Sequence, residues 1–258
     1  MSAPPLPRFD EVRLLAHWKS LGNAAETQGG LEFFVAGLKA KQQLFVNVLA
    51  DEALPQLDPE NLALIVESVF PARRRLWCYL ENLGWPRVRE LIGELFAEGK
   101  PVEERITTFV AAFPSDKRAR GARDLAAELL HFRQPERYPL MARWVWDAKV
   151  NTGALRELTA EGPRGEPMAV GDDLPVFQET FERLQRFLGE QGVLKDLTLT
   201  ADLLIAHVYA DYLRSLAEGY LKSDFGGKHD PMEHTKKLLG IDESRRQDKS
   251  RLVRDQVH

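Results

Sequence analysis

A chain of 258 residues that is 44% hydrophobic has the apolar content for a sizeable core, and a formal net charge of −4 does not mark it as a polyanion binder by bulk charge. The single cysteine, Cys78, excludes an intramolecular disulfide and a cysteine-based zinc cluster, and it fits a reducing compartment. No apolar run approaches the roughly 20 residues of a membrane helix, and Met1–Arg8 lacks the apolar core of a signal peptide, so the expectation is a cytoplasmic protein without membrane association.

Residues 1–8 hold three prolines and read as a flexible arm. A short helix is predicted from Phe9 to Ser20, closed by Leu21-Gly22-Asn23. Gly29-Gly30 opens a longer one to about Ala50, whose Leu31, Phe34, Val35, Leu38, Leu44, Phe45, Val48 and Leu49 fall mostly at helical spacing. Asp58-Pro59 is an N-cap followed by proline at the first helical position, so a helix runs to Phe70 and stops at Pro71. Helices follow over Arg73–Leu83, from Pro86 to about Glu98, over Val102–Phe113, and to Phe132 from a cap at Ser115-Asp116. No shared residue pattern recurs at a fixed period, so an irregular helical array is expected rather than a solenoid.

Thr159–Pro175, with three prolines and three glycines, reads as a long loop and as the boundary of a smaller C-terminal unit. The expected organisation is a main helical domain over 9–158, a linker over 159–175, a C-terminal helical unit over 176–241 and a charged tail over 242–258. Within the second unit, Val176–Leu188 and Ala201–Leu221 are predicted helices, with Thr200 as a cap, and a short helix falls near Glu233–Leu239. Strand-like alternation is essentially confined to Asp196–Thr200. The fold class is all-α.

Charge is unevenly placed. Residues 71–150 carry 15 Lys and Arg against 11 Asp and Glu, while both flanking regions are net negative, so the middle third is where an anion would bind. Two ridges stand out there: Arg73, Arg74 and Arg75, then Lys117, Arg118, Arg120 and Arg123. Arginine meets phosphate bidentately, and a helix start offers free N–H groups. Cations at helix N-termini oppose the macrodipole, which a bound anion would relieve. The competing reading is an ion-paired, solvated surface.

The densest feature is His131–Asp147, with Trp144, Trp146, Tyr138, Arg143, Pro135 and Pro139. The prolines forbid one continuous helix, so a helix, a rigid turn and a second helix are expected, the aromatics forming either a buried corner or a partner-binding surface. The form His-Phe-x-x-Pro-x-x-Tyr-Pro, followed by an aromatic-rich stretch ending in Asp, resembles a segment of bacterial helical proteins related to the helix-hairpin-helix DNA glycosylase fold. The resemblance spans about 17 residues and implies a helix–proline–helix corner beside DNA-binding elements. This chain has Ala142-Arg143-Trp144 where those proteins often carry Asp-x-Arg, and it lacks a Gly-x-Gly hairpin followed by a Lys and Asp pair, so glycosylase activity is not implied.

Other chemistry-bearing groups are sparse. His229-Asp230-Pro231-Met232-Glu233-His234 is the one dense set of potential metal ligands, but Pro231 breaks the i, i+4 geometry of helical metal motifs. His207 and Asp211 share a helix face, as a catalytic pair or a satisfied polar contact. Cys78, among large apolar neighbours, is expected to be a buried thiol. No phosphate-binding glycine loop or nucleophile elbow is present. The expected function is therefore a non-enzymatic accessory protein that binds another macromolecule, preferably a protein, and needs no cofactor. The alternatives are nucleic-acid binding through the two basic ridges, and an enzyme or metal protein built on His207, Asp211, His229 and His234.

Overall fold

The computed structural model describes residues 8–73, 75–117, 119–160, 168–220 and 230–242, with the backbone alone for 217–220. The expectations for most of the N-terminal arm, the tail beyond Asp242, and Arg74, Arg118 and His229 lie outside the described residues.

Local capping chemistry sets most of the helix starts. The Asp10 carboxylate accepts the Val12 and Arg13 amides at 3.1 Å and opens α1 (Glu11–Glu26). This helix does not end at Gly22 as its sequence suggests. Leu21 just before it and Ala24 and Ala25 beyond it are buried, and their burial outweighs the roughly 1 kcal/mol that one helical glycine costs. Gly29, at φ 100°, turns the chain into α2 (Gly30–Val48). Asp58 caps α3 (Pro59–Ser68) as predicted, accepting the Asn61 amide at 2.7 Å.

Arg73 and Arg75 fall in a turn before α4 (Trp77–Leu83), so the helix predicted from Arg73 begins later. Gly84, at φ 77°, separates α4 from α5 (Trp85–Phe96), and α6 (Val102–Ala111) follows Pro101. Asp116 does cap a turn, accepting the Ala119 amide at 2.8 Å, but α7 (Gly121–Arg133) starts only after it.

The remaining helices are α8 (Ala154–Leu158), α9 (Leu174–Glu190), α10 (Leu197–Tyr220) and α11 (Glu233–Leu239). Thr200 is not a cap. It lies buried inside α10 and its hydroxyl donates to the Asp196 carbonyl at 2.9 Å. Among the described residues there is no strand, only the isolated bridges Phe9–Thr159 and Asp147–Thr152, and the fold is all-α.

Two helices organise the packing. α10 lies against α1, α2, α8, α9 and α11, and α7 against α2, α5 and α6. α7 is buried on nearly every side: Leu125, Leu129 and Phe132 join the apolar cluster, while Asp124, Glu128 and His131 form a buried polar stripe at helical spacing.

The aromatic corner differs from expectation in its second half. No helix follows Pro139; Met141–Thr152 is a series of turns. Its backbone groups bond outward instead of up a helix. The Trp144 and Val145 carbonyls accept the Ala154 and Leu155 amides at 2.9 and 3.0 Å, and Asp147 bridges Thr152. Gly153 sits so close to this loop that a Cβ would lie 2.5 Å from the Val145 oxygen. Tyr138, Trp144 and Trp146 are core residues, and Trp146 is fully buried, its indole N–H donating to the Gly171 carbonyl at 3.0 Å.

Candidate functional site

The exposed side of α2 carries an apolar stripe. Phe33, Gly37, Ala40 and Leu44 recur at helical spacing, Ala36 lies beside them, and Phe33, Ala36 and Ala40 are exposed. α3 contributes the exposed Leu64, and the end of α11 contributes Ile241, whose side chain lies 3.7 Å from a Cβ built on Gly37. Together these residues line a groove of about 1070 Å³. Its rim carries both signs, and they are largely matched: Lys236 pairs with Asp230 at 2.5 Å, Lys237 with Glu233, and Arg73 with Asp242 at 2.9 Å.

At the floor sits Lys41, a residue that periodicity places on the buried face of α2, in line with Phe34, Leu38 and Phe45. Its ammonium donates to Glu128 at 2.5 Å, to the Ser68 carbonyl at the end of α3 at 3.0 Å, and to the Leu239 carbonyl at the end of α11 at 2.8 Å. One cation thus ties α2, α3, α7 and α11 together. Burial pushes the Lys41 pKa down and the Glu128 pKa up to about 7, each opposed by the other's charge. All three Lys41 protons are directed at acceptors, so the group is a clasp rather than a nucleophile. Next to α11, Gly240 adopts the left-handed conformation, where a Cβ would overlap the Ser68 carbonyl oxygen.

A second buried pair adjoins the first. His131 Nε2 lies 2.8 Å from Asp202, and its Nδ1 lies 2.8 Å from the Tyr138 carbonyl. Both partners are acceptors, so the doubly protonated ring satisfies both. Burial opposes that charge, but Asp202, the Tyr138 carbonyl and Glu128 together raise the pKa above its ordinary value.

Two of the ridge residues, and several arginines near them, are spent on carboxylates. Arg73 is buried against Phe70 and Asp242, Arg123 pairs with Asp172 at 2.5 Å, and Arg143 is held by Asp124 through its backbone amide, Nε and Nη2. Arg87, Arg133 and Arg137 meet Glu90, Asp51 and Glu98. Arg75, Lys117 and Arg120 remain exposed.

His207 is fully buried, and its neighbours do not form a hydroxyl–imidazole–carboxylate relay. Ser20 Oγ lies 3.0 Å and Asp211 Oδ2 3.5 Å from the same nitrogen, Nε2, while Nδ1 faces Thr235 Oγ1 at 3.3 Å. A hydroxyl–imidazole–carboxylate relay needs the two oxygens on opposite nitrogens. Asp211 is instead bonded to His17 Nδ1 at 3.0 Å and paired with Arg214.

Burial drives the His207 pKa down to about 4, with Arg214 and His17 adding to the fall and Asp211 resisting it. A folded pKa below the unfolded value near 6.5 means the contribution is intact above that pH and is lost as pH falls through about 4. Wild type should therefore lose up to about 3 kcal/mol more than His207→Gln between about pH 7 and pH 4, measured by chemical denaturation. Identical pH profiles would show that His207 is not the titrating group.

Cys78 is exposed, a correction to the buried thiol expected from its neighbours. α4 buries Leu80 and turns Cys78 towards solvent. His234 is exposed, and among the described residues no group of three His, Cys, Asp or Glu side chains is placed to hold a metal. Nor is any helix among them long and apolar enough to cross a membrane. Comparison with family models, curated proteins and solved structures finds no match, so the resemblance to glycosylase-related proteins rests on the His131–Asp147 stretch alone.

Proposed function

We propose that this protein is a non-enzymatic cytoplasmic accessory protein whose α2–α3–α11 groove takes an amphipathic helix of a protein partner. The observation that supports this most directly is the stripe Phe33, Gly37, Ala40 and Leu44, over which, among the described residues, no helix is laid and only Ile241 leans in, at Gly37. The exposed Ala36 and Ala40 are small enough for another backbone to approach closely, and Phe33 and Leu44 form the larger ends. The stripe is about 16 Å long at 1.5 Å per residue, which suits roughly three turns of a partner helix. A mixed-charge rim favours a partner whose polar flanks carry both signs over a polyanion.

Ala40 is exposed on α2, so Ala40→Glu should leave the fold intact while placing a charge on the apolar stripe. Affinity capture from the native source, after nuclease treatment, should recover a stoichiometric protein with wild type and lose it with Ala40→Glu. A synthetic helix from that protein should bind purified wild type. Recovery of the same proteins by both forms would remove the groove from consideration.

A further inference from the structure

We propose that the face carrying Arg75, Lys117 and Arg120 binds the phosphate backbone of double-stranded nucleic acid, independently of the groove. These three cations lie on two chain segments that are pinned together twice. At one pin, Gly121 meets the preceding turn so closely that a Cβ would lie 2.5 Å from the Pro71 oxygen and 3.1 Å from the Ala72 nitrogen. At the other, the Tyr79 hydroxyl donates to Asp116 at 2.7 Å. Arg75 sits between Ala72 and Tyr79, while Lys117 and Arg120 sit between Asp116 and Gly121, so both segments present their cations on neighbouring stretches.

The chemistry of these three differs from that of the other basic residues nearby. Arg73, Arg123, Arg137 and Arg143 are each spent on a carboxylate, whereas Arg75, Lys117 and Arg120 are exposed and, among the described residues, have no ion-pair partner. Arg120 also occupies the N-cap of α7, where the helix dipole disfavours a cation and favours an anion. A phosphate bridging these groups removes that conflict and can be met bidentately by the arginines.

The surroundings select the kind of polyanion. None of the exposed large apolar side chains belongs to these two segments; the closest in sequence, Phe70, lies under the Arg73 guanidinium. A membrane surface or an acidic peptide would gain little apolar contact here. Trp77 and Trp85 are close by, but they lie tilted against each other with centroids 5.5 Å apart, and the Trp77 indole N–H donates to Glu81, so they do not form a flat stacking platform for a run of unstacked bases. A duplex backbone asks only for spaced positive charge.

The test is fluorescence anisotropy of the full chain with labelled DNA and RNA duplexes of about 20 base pairs, starting from about 50 mM salt. For DNA, three phosphate contacts predict a slope of about −2.7 in log K against log salt, and Arg75→Ala or Arg120→Ala should each reduce it by about 0.9. Arg75→Glu/Lys117→Glu/Arg120→Glu should weaken binding by about tenfold or more with an unchanged thermal melt, because the three side chains are exposed and have no ion-pair partner among the described residues. Ala40→Glu should bind the duplexes as wild type does, which separates this result from the fate of the groove. The DNA and RNA arms identify which duplex is preferred, and binding to either supports the proposal. Failure to bind both duplexes at low salt, equal binding by the triple variant, preference for single strands, or binding only to phosphatidylserine vesicles would each overturn it.

Discussion

Replacing Lys41 by methionine is expected to remove about 3–5 kcal/mol of folding stability, measured as a shift in the denaturant midpoint at constant slope. The charge does not act alone. Its loss leaves the Glu128 carboxylate, one oxygen of which already has no protein partner, buried without its cation, and strands the Ser68 and Leu239 carbonyls at two helix ends. The loss should grow with pH. Burial already lifts the Glu128 pKa to about 7, and removing Lys41 lifts it further. A raised folded pKa means that stability is intact below the unfolded value near 4.5 and declines as pH rises through the folded one. The pair Lys41→Met/Glu128→Leu should recover much of the deficit, since apolar replacement of a buried ion pair is often neutral or better. A single-variant loss below about 1 kcal/mol would mean that water reaches this site and that Lys41 is not the clasp described here.

Trp146→Ala should cost about 3–5 kcal/mol, the range for emptying a fully buried aromatic site. Two effects combine: the cavity itself and the orphaned Gly171 carbonyl, which accepts the indole N–H at 3.0 Å. The second effect has its own readout. Trp146 anchors the segment just before α9, so limited proteolysis should cut near Met168–Asp173 in the variant and leave wild type intact at that site. Trp144→Ala should cost less, because Trp144 is 6% exposed, its indole nitrogen has no hydrogen-bond partner among the described residues, and its ring contact is with the half-buried Tyr209 at 6.2 Å. Equal and small losses in both variants would contradict the placement of the corner in the core.

What could be read from the chain followed the range of each interaction. Asp58-Pro59, Gly84 and Pro101 act on the next few residues, and the helices they punctuate stand close to where the sequence places them. The corner failed in its second half because the backbone of Trp144–Asp147 bonds to residues near α8, a choice made by tertiary contact and not by propensity. Which arginines of the two ridges are spent on carboxylates was illegible for the same reason: the partner of Arg73 is 169 residues away, and that of Arg123 is 49 residues away. Lys41 was within reach of the sequence, since it falls on the same helical face as Phe34, Leu38 and Phe45. The groove was half legible. The buried side of α2 was clear from spacing, but that Phe33 and Ala40 would be left uncovered depends on where α3 and α11 come to rest.

The clasp at Lys41 also sets a timetable for synthesis. Its acceptor on α11 lies 198 residues further along the chain. At roughly 5–20 residues per second, a ribosome takes about 10–40 s to make Leu239 after Lys41. Throughout that interval the ammonium of α2 has no α11 carbonyl to hold, and the wall supplied by Ile241 does not yet exist. A nascent chain therefore presents a wider, less finished apolar surface than the completed protein.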